Sequence, residues 1–109
     1  MTTPAIPKDV ETTVGTLVGI ATVLFIQGCY ETIQGGLTAE TKQRGAEMLT
    51  HLSMLRLDGC SVEELEHAAF LHAPDTIRRY CTAFDTEEIN DLITSVLDIV
   101  NRTAKTEMH

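Results

Sequence analysis

Apolar residues recur at helical spacing along most of the chain, and this pattern predicts an all-α protein without a strand. The first segment is the longest, and its apolar positions lie three and four residues apart. Four shorter amphipathic segments follow it. The expected helices span residues 8–34, 39–57, 61–72, 74–84 and 85–100. We therefore expect one compact helical bundle over residues 1–109, with flexible ends at 1–7 and 101–109.

Residues typical of helix ends separate these segments. Thr38 and Ser61 are suitable N-caps, and Glu64 stands at capping-box spacing from Ser61. The sequence at 85–88 repeats that spacing. Gly35 and the glycine after it suit the left-handed backbone that ends many helices. Pro74 is expected to break the chain into a third and a fourth helix, because the residue before a proline avoids the helical region.

Helix one is apolar on nearly its whole circumference, so other protein segments must cover it. Gly15 and Gly19 stand four apart, a spacing that permits close backbone approach. Its β-branched content leaves a buried strand as a minor alternative for part of the segment. We expect the helix to be central in the bundle or to lie at a two-fold dimer interface. The candidate interface residues are Val14, Leu17, Val18, Ala21, Leu24 and Phe25.

The same helix raises the question of a membrane span. Nineteen residues from Thr12 to Tyr30 carry no charge, but the strongly apolar part is only the thirteen residues from Val14 to Ile26. That length suits a buried core helix better than a span, and no Lys/Arg cluster flanks it. The residues before Lys8 are polar and do not resemble a signal peptide. We expect a cytoplasmic protein without a membrane segment.

Composition and net charge indicate which classes of macromolecule the protein could bind. Of the 109 residues, 43% are hydrophobic and 22% are charged, as in ordinary globular proteins. Sixteen acids against eight Lys and Arg give a net charge of -8. This balance argues against a nucleic-acid binder that uses its whole surface, because phosphate neutralisation needs clustered cations. Acidic groups at 58–66 and 85–91 could face a basic partner, although helix capping already accounts for them.

Candidate chemistry is sparse. Cys29, Cys60 and Cys81 form no CxxC pair, and neither a nucleophile elbow nor a phosphate-binding loop is present. Cys60 precedes a helix start, which could lower the pKa of its thiol, but a partly buried structural thiol is the favoured interpretation. Glu63 and His67 stand four apart on one helix face, and His51 could approach them; the set is too small for a metal site. We expect no catalytic residue, no cofactor and no metal.

Residues 61–80 resemble a helix-turn-helix motif, with a capped first helix and a second helix that carries Thr-Ile-Arg-Arg. The resemblance implies base or phosphate contacts from Asp75, Thr76, Arg78 and Arg79. The segment departs from the motif, because it lacks the usual glycine in the turn and is one residue longer. Its own net charge is also negative.

Two functional hypotheses follow. The favoured one is a small acidic protein that acts through protein–protein contact as an adaptor, inhibitor or regulator, homodimeric and without enzymatic activity. The alternative is a dimeric transcriptional regulator that binds DNA through residues 61–80.

Overall fold

The computed structural model describes the backbone of residues 8–107, which is all-helical and contains four helices. They are α1 (Lys8–Gln34), α2 (Ala39–Leu57), α3 (Val62–Tyr80) and α4 (Thr86–Glu107). No strand occurs in that range, so the predicted fold class is confirmed. The expectation of five helices is wrong by one. The predicted flexible end at 1–7 lies outside the described residues.

The third and fourth predicted helices are one continuous helix, α3, with Pro74 inside it. A proline in a helix interior removes one backbone hydrogen bond and costs about 3 kcal/mol. The surrounding residues offset this cost, because Ala73, Thr76 and Ile77 are all buried. Tertiary packing against α1 therefore holds the helix together through a residue that normally ends one.

The end of α4 also differs from the prediction. Residues 101–107, expected as part of a flexible tail, continue the helix to Glu107. Ala104 is buried and extends the apolar stripe of the helix by one more turn beyond Val100. Ala104, the last member of the stripe, is a small residue among polar neighbours, so the hydropathy pattern did not indicate that the helix continues there.

The predicted capping residues are confirmed, whereas the helix predicted to end at residue 84 ends at Tyr80. The Thr38 hydroxyl accepts a hydrogen bond from the Thr41 amide, and Ser61 and Glu64 form a complete capping box. A second box joins Asp85 to Glu88, whose amide donates to Asp85 Oδ1 at 2.8 Å. Gly35 has φ of +144°, a backbone conformation that favours glycine, and its amide donates to the last turn of α1.

Helix α1 contacts all three other helices, and its closest neighbour is α3. Two glycines make this approach possible. A β-carbon on Gly15 would lie 2.5 Å from His72 Cβ, and one on Gly19 would lie 2.7 Å from Thr76 Cβ. Ala68 and Ala73 on α3 also face the two glycines, so the two backbones meet over the stretch from Ala68 to Thr76. The glycine pair therefore serves packing within one chain.

The core forms where α1, α2, α3 and α4 meet. Helix α1 contributes Val14 and Val18, whereas α2 contributes little besides Leu52. Most of the remaining buried volume comes from one face of α3 and one face of α4. Those residues are Leu65, Ala68, Ala69, Ala73, Ile77, Ile89, Ile93, Val96, Leu97 and Val100.

Candidate functional site

An apolar groove lies between the C-terminal half of α1, the N-terminal half of α2 and the middle of α4. Its volume is about 630 Å³, within the range of 300–1,000 Å³ typical of ligand pockets. The two antiparallel helices α1 and α2 form its walls, and α4 forms its floor. Representative lining residues are Ala21, Phe25, Leu49, Leu52, Val96 and Val100.

Polar residues line only one end of this groove. Cys29 and Thr32 lie near the end of α1, and Thr41 and Lys42 lie near the start of α2, so all four are close to the α1–α2 turn. The opposite end, beside Leu52, is apolar. The groove is therefore apolar along its length, and its few polar lining residues lie at the turn beside the exposed Ile33 and Leu37.

A carboxylate bound by four donors fixes the polar end. Glu31 Oε1 accepts from the Thr38 amide at 2.9 Å and from the Thr38 hydroxyl at 2.8 Å. Its Oε2 accepts from Gln27 Nε2 and from the Thr41 hydroxyl, both at 2.8 Å. These hydrogen bonds, with that from Gln27 the strongest influence, lower the pKa of Glu31 to about 2. The network joins the last turns of α1 to the first turn of α2.

The outer side of α1 presents a second apolar surface, which we call the α1 seam. It consists of Thr13, Leu17, Ile20, Leu24 and Gln27, spaced by four, three, four and three residues. Ile20 is 36% exposed, Leu17 and Leu24 are half-buried, and the two polar end members are exposed. This spacing is that of the contact positions of a coiled coil.

The six predicted interface residues fall into different environments. Val14 and Val18 are buried in the chain's own core, so a second copy could not reach them without opening the fold. Ala21 and Phe25 line the groove. Leu17 belongs to the α1 seam, and Leu24 belongs to both the seam and the groove rim.

The residues of the helix-turn-helix hypothesis do not adopt that motif's arrangement. Residues 62–80 form one helix, with no turn to separate a recognition helix. Thr76 is buried beside Gly19 of α1, and Arg78 Nη2 donates to the Thr86 hydroxyl at 3.1 Å. Asp75 and Arg79 are exposed.

The three cysteines are free and differ in exposure. Cys29 is exposed, Cys81 is half-buried and Cys60 is buried. Burial, with a smaller contribution from Glu64, raises the pKa of the Cys60 thiol. This direction is opposite to the one expected from the helix start, and it favours a buried structural thiol over an activated nucleophile.

The histidines of α3 lie beside a carboxylate of α1. Glu11 is 3.6 Å from His67 Nε2 and 3.4 Å from His72 Nε2, and it ties the start of α1 to α3. Sequence reasoning missed Glu11, because only the fold brings it to α3. Glu63 is exposed on α3, one turn before His67, and His51 is exposed on α2. No group of three possible metal ligands occurs within the residues that the structure describes.

Helix α1 is long and apolar enough, over Val10–Gln34, to cross a membrane by length and composition alone. Of the apolar window that meets this test, 28% is buried inside the protein. Most of its other large apolar residues are half-buried, and Ile20 is exposed. Core helices and signal sequences also meet the same test.

Comparison with protein families, with curated proteins and with solved structures finds no match to this chain. Its function must therefore be argued from the groove, the α1 seam and the surface charge.

Proposed function

We propose that this protein acts through protein–protein contact and that its basic unit is a homodimer joined along the α1 seam. The observation that supports the proposal is the exposure of α1. Nineteen successive positions of the helix carry no charge, only 28% of the residues in its apolar window are buried, and Ile20 in the middle is 36% exposed. Covering such a surface removes apolar area from water, the main favourable term in most protein association.

The order of residues in the seam suits self-association. Three branched apolar residues, Leu17, Ile20 and Leu24, are flanked by the polar Thr13 and Gln27. Ile20 is the middle member, so two-fold symmetry would bring it against Ile20 of the second copy. The remaining apolar pairs would then surround this central contact, with a polar pair at each end.

Charge supports the same location for the contact. Two copies that each carry a net charge of -8 repel one another over most of their surface. The seam lies within the uncharged stretch of α1, where this repulsion is least. Because Gly15 and Gly19 already pack on α3, side chains of the seam rather than glycine backbone would form the contact.

The acidic surface outside the seam supports a role as an adaptor, inhibitor or regulator. A net charge of -8 favours basic protein partners and speeds their encounter. Packing of α1 against the other three helices supports a bundle in water over membrane insertion, and three free cysteines suit the reducing cytoplasm.

Light scattering of the purified protein and of charge variants tests the dimer. The wild-type chain is expected at twice its own mass, and Ile20→Lys and Ile20→Glu are each expected as monomers with unchanged helicity. An equimolar mixture of these two variants should recover the dimer, because opposite charges would meet at the two-fold axis. Leu71→Lys is the matched control, since Leu71 is 55% exposed on α3 outside the seam, and it should remain dimeric.

A wild-type chain that stays monomeric at every concentration would overturn the proposal, and so would a mixture that does not recover the dimer. A flotation assay with phospholipid vesicles tests the membrane alternative. Flotation of the wild-type chain together with loss of its helical bundle would show that α1 enters lipid, and the proposal would then be wrong.

A further inference from the structure

We propose that the groove between α1, α2 and α4 binds a free single-chain amphiphile with one negative charge, a long-chain fatty acid. Its alkyl chain would lie along the apolar floor, and its carboxylate would meet the Lys42 ammonium. This goes beyond the proposed dimer, since the groove and the α1 seam share only Leu24.

The shape of the groove suits a flexible chain. From Ala21 to Thr32 it follows α1 for eleven residues, a length of about 17 Å at the rise of an α-helix. Leu52 and Val100, at the apolar end, are fully buried, so side chains of the core close the groove there. No side chain of the described residues fills this apolar groove, so the groove favours an apolar ligand.

The charge at the polar end selects the head group. Lys42 is the single ionisable cation among the lining residues, and it forms no ion pair with any described residue. Arg44, on the same helix, is by contrast paired with Glu40 at 2.7 Å. Lys42 is exposed, and an ammonium on a flexible side chain beside an apolar groove is complementary to one carboxylate.

The polar groups near Lys42 have hydrogen-bond partners of their own within the protein. The Thr41 hydroxyl donates to Glu31, and the Thr32 hydroxyl donates to the Gly28 carbonyl. Glu31 carries the nearest negative charge of the network, but it does not line the groove, and four donors surround its oxygens. Lys42 is therefore the group left to bind an anion.

Titration calorimetry with three probes of equal chain length, each below its micelle concentration, tests the proposal. Dodecanoate is expected to bind, dodecanol to bind more weakly, and dodecyltrimethylammonium to bind most weakly. Lys42→Glu should weaken dodecanoate binding by about threefold to tenfold, the range expected for reversing the charge of a partly exposed ion pair. Lys105→Glu, an exposed lysine of α4 outside the lining, is the matched control and should bind as the wild type does.

A second variant tests the location. A β-carbon on Gly45 meets no atom within 4 Å, so Gly45→Phe places its ring in open groove space while α2 keeps its fold. This variant should lose most dodecanoate binding and keep the mass of the wild-type oligomer, which separates the groove from the dimer contact. Undiminished binding by Gly45→Phe, equal binding of all three probes, or no binding by the wild-type chain would overturn the proposal.

Discussion

Gly19 of α1 faces Thr76 of α3 so closely that a β-carbon on the glycine would lie 2.7 Å from Thr76 Cβ. Real β-carbons do not approach other atoms at that distance. The contact therefore depends on the missing side chain, and it joins two residues that lie 57 positions apart in the 109-residue chain.

Gly19→Ala is expected to destabilise the protein by about 1–3 kcal/mol, because the added methyl group overpacks the α1–α3 contact. Gly45→Ala is the matched control. It also places alanine in a helix, but in open space, so it should stabilise the protein by about 0.5–1 kcal/mol. Urea unfolding measures both, and a stabilised Gly19→Ala would contradict the close approach.

Pro74→Ala is expected to stabilise the protein by about 1–2 kcal/mol. The alanine supplies the amide that α3 lacks at this position, and the gain exceeds the entropy that a proline removes from the unfolded chain. Thermal unfolding followed by circular dichroism measures the change. A loss of stability would indicate that Pro74 favours a bend which the packing needs.

The hydrogen-bond network of Glu31 should make stability depend on pH. Its pKa is lowered from 4.5 to about 2 in the folded protein, so its contribution is complete above pH 4.5 and declines as the pH falls toward 2. Glu31→Gln should be less stable than the wild type at neutral pH, and the difference should vanish near pH 2. Glu40→Gln is the control, because that carboxylate has one exposed ion pair, with Arg44. Parallel wild-type and Glu31→Gln curves would show that the network contributes nothing.

The three thiols should react with an alkylating reagent at clearly different rates. Cys29 is expected first because it is exposed, Cys81 second, and Cys60 last because it is buried and its pKa is raised. Mass spectrometry of peptides from timed samples gives the order. Early modification of Cys60 would mean that the loop before α3 opens in solution.

Local hydrogen bonding explains why the helix ends were predictable. The caps at Thr38 and Ser61 involve residues three apart, so their chemistry is complete within a few letters of sequence. Pro74 was misjudged for the opposite reason. A proline locally favours the end of a helix. The helix continues through Pro74 because Ala73 and Ile77 beside it are buried in the core, which the local sequence does not show.

The surfaces of α1 show a similar limit. Spacing alone indicated that Gly15 and Gly19 permit close approach, yet it could not say whether α3 or a second copy would approach. The four-and-three spacing of the α1 seam is also present in the sequence, but a helix that is apolar all round contains several such stripes. Val14 and Val18 pack into the core, and this orientation of α1 leaves the stripe of the α1 seam on the outer side of the helix.

The pairing of α1 with α3 also sets an order of events during synthesis. Gly15 leaves the ribosome 53 residues before Ala68, the residue it meets in the finished protein. At translation rates of about 5–20 residues per second, this interval lasts roughly 3–10 seconds. For that time only α2 can cover the most apolar segment of the nascent polypeptide, so the face of α1 that later packs on α3 is exposed to aggregation until α3 emerges.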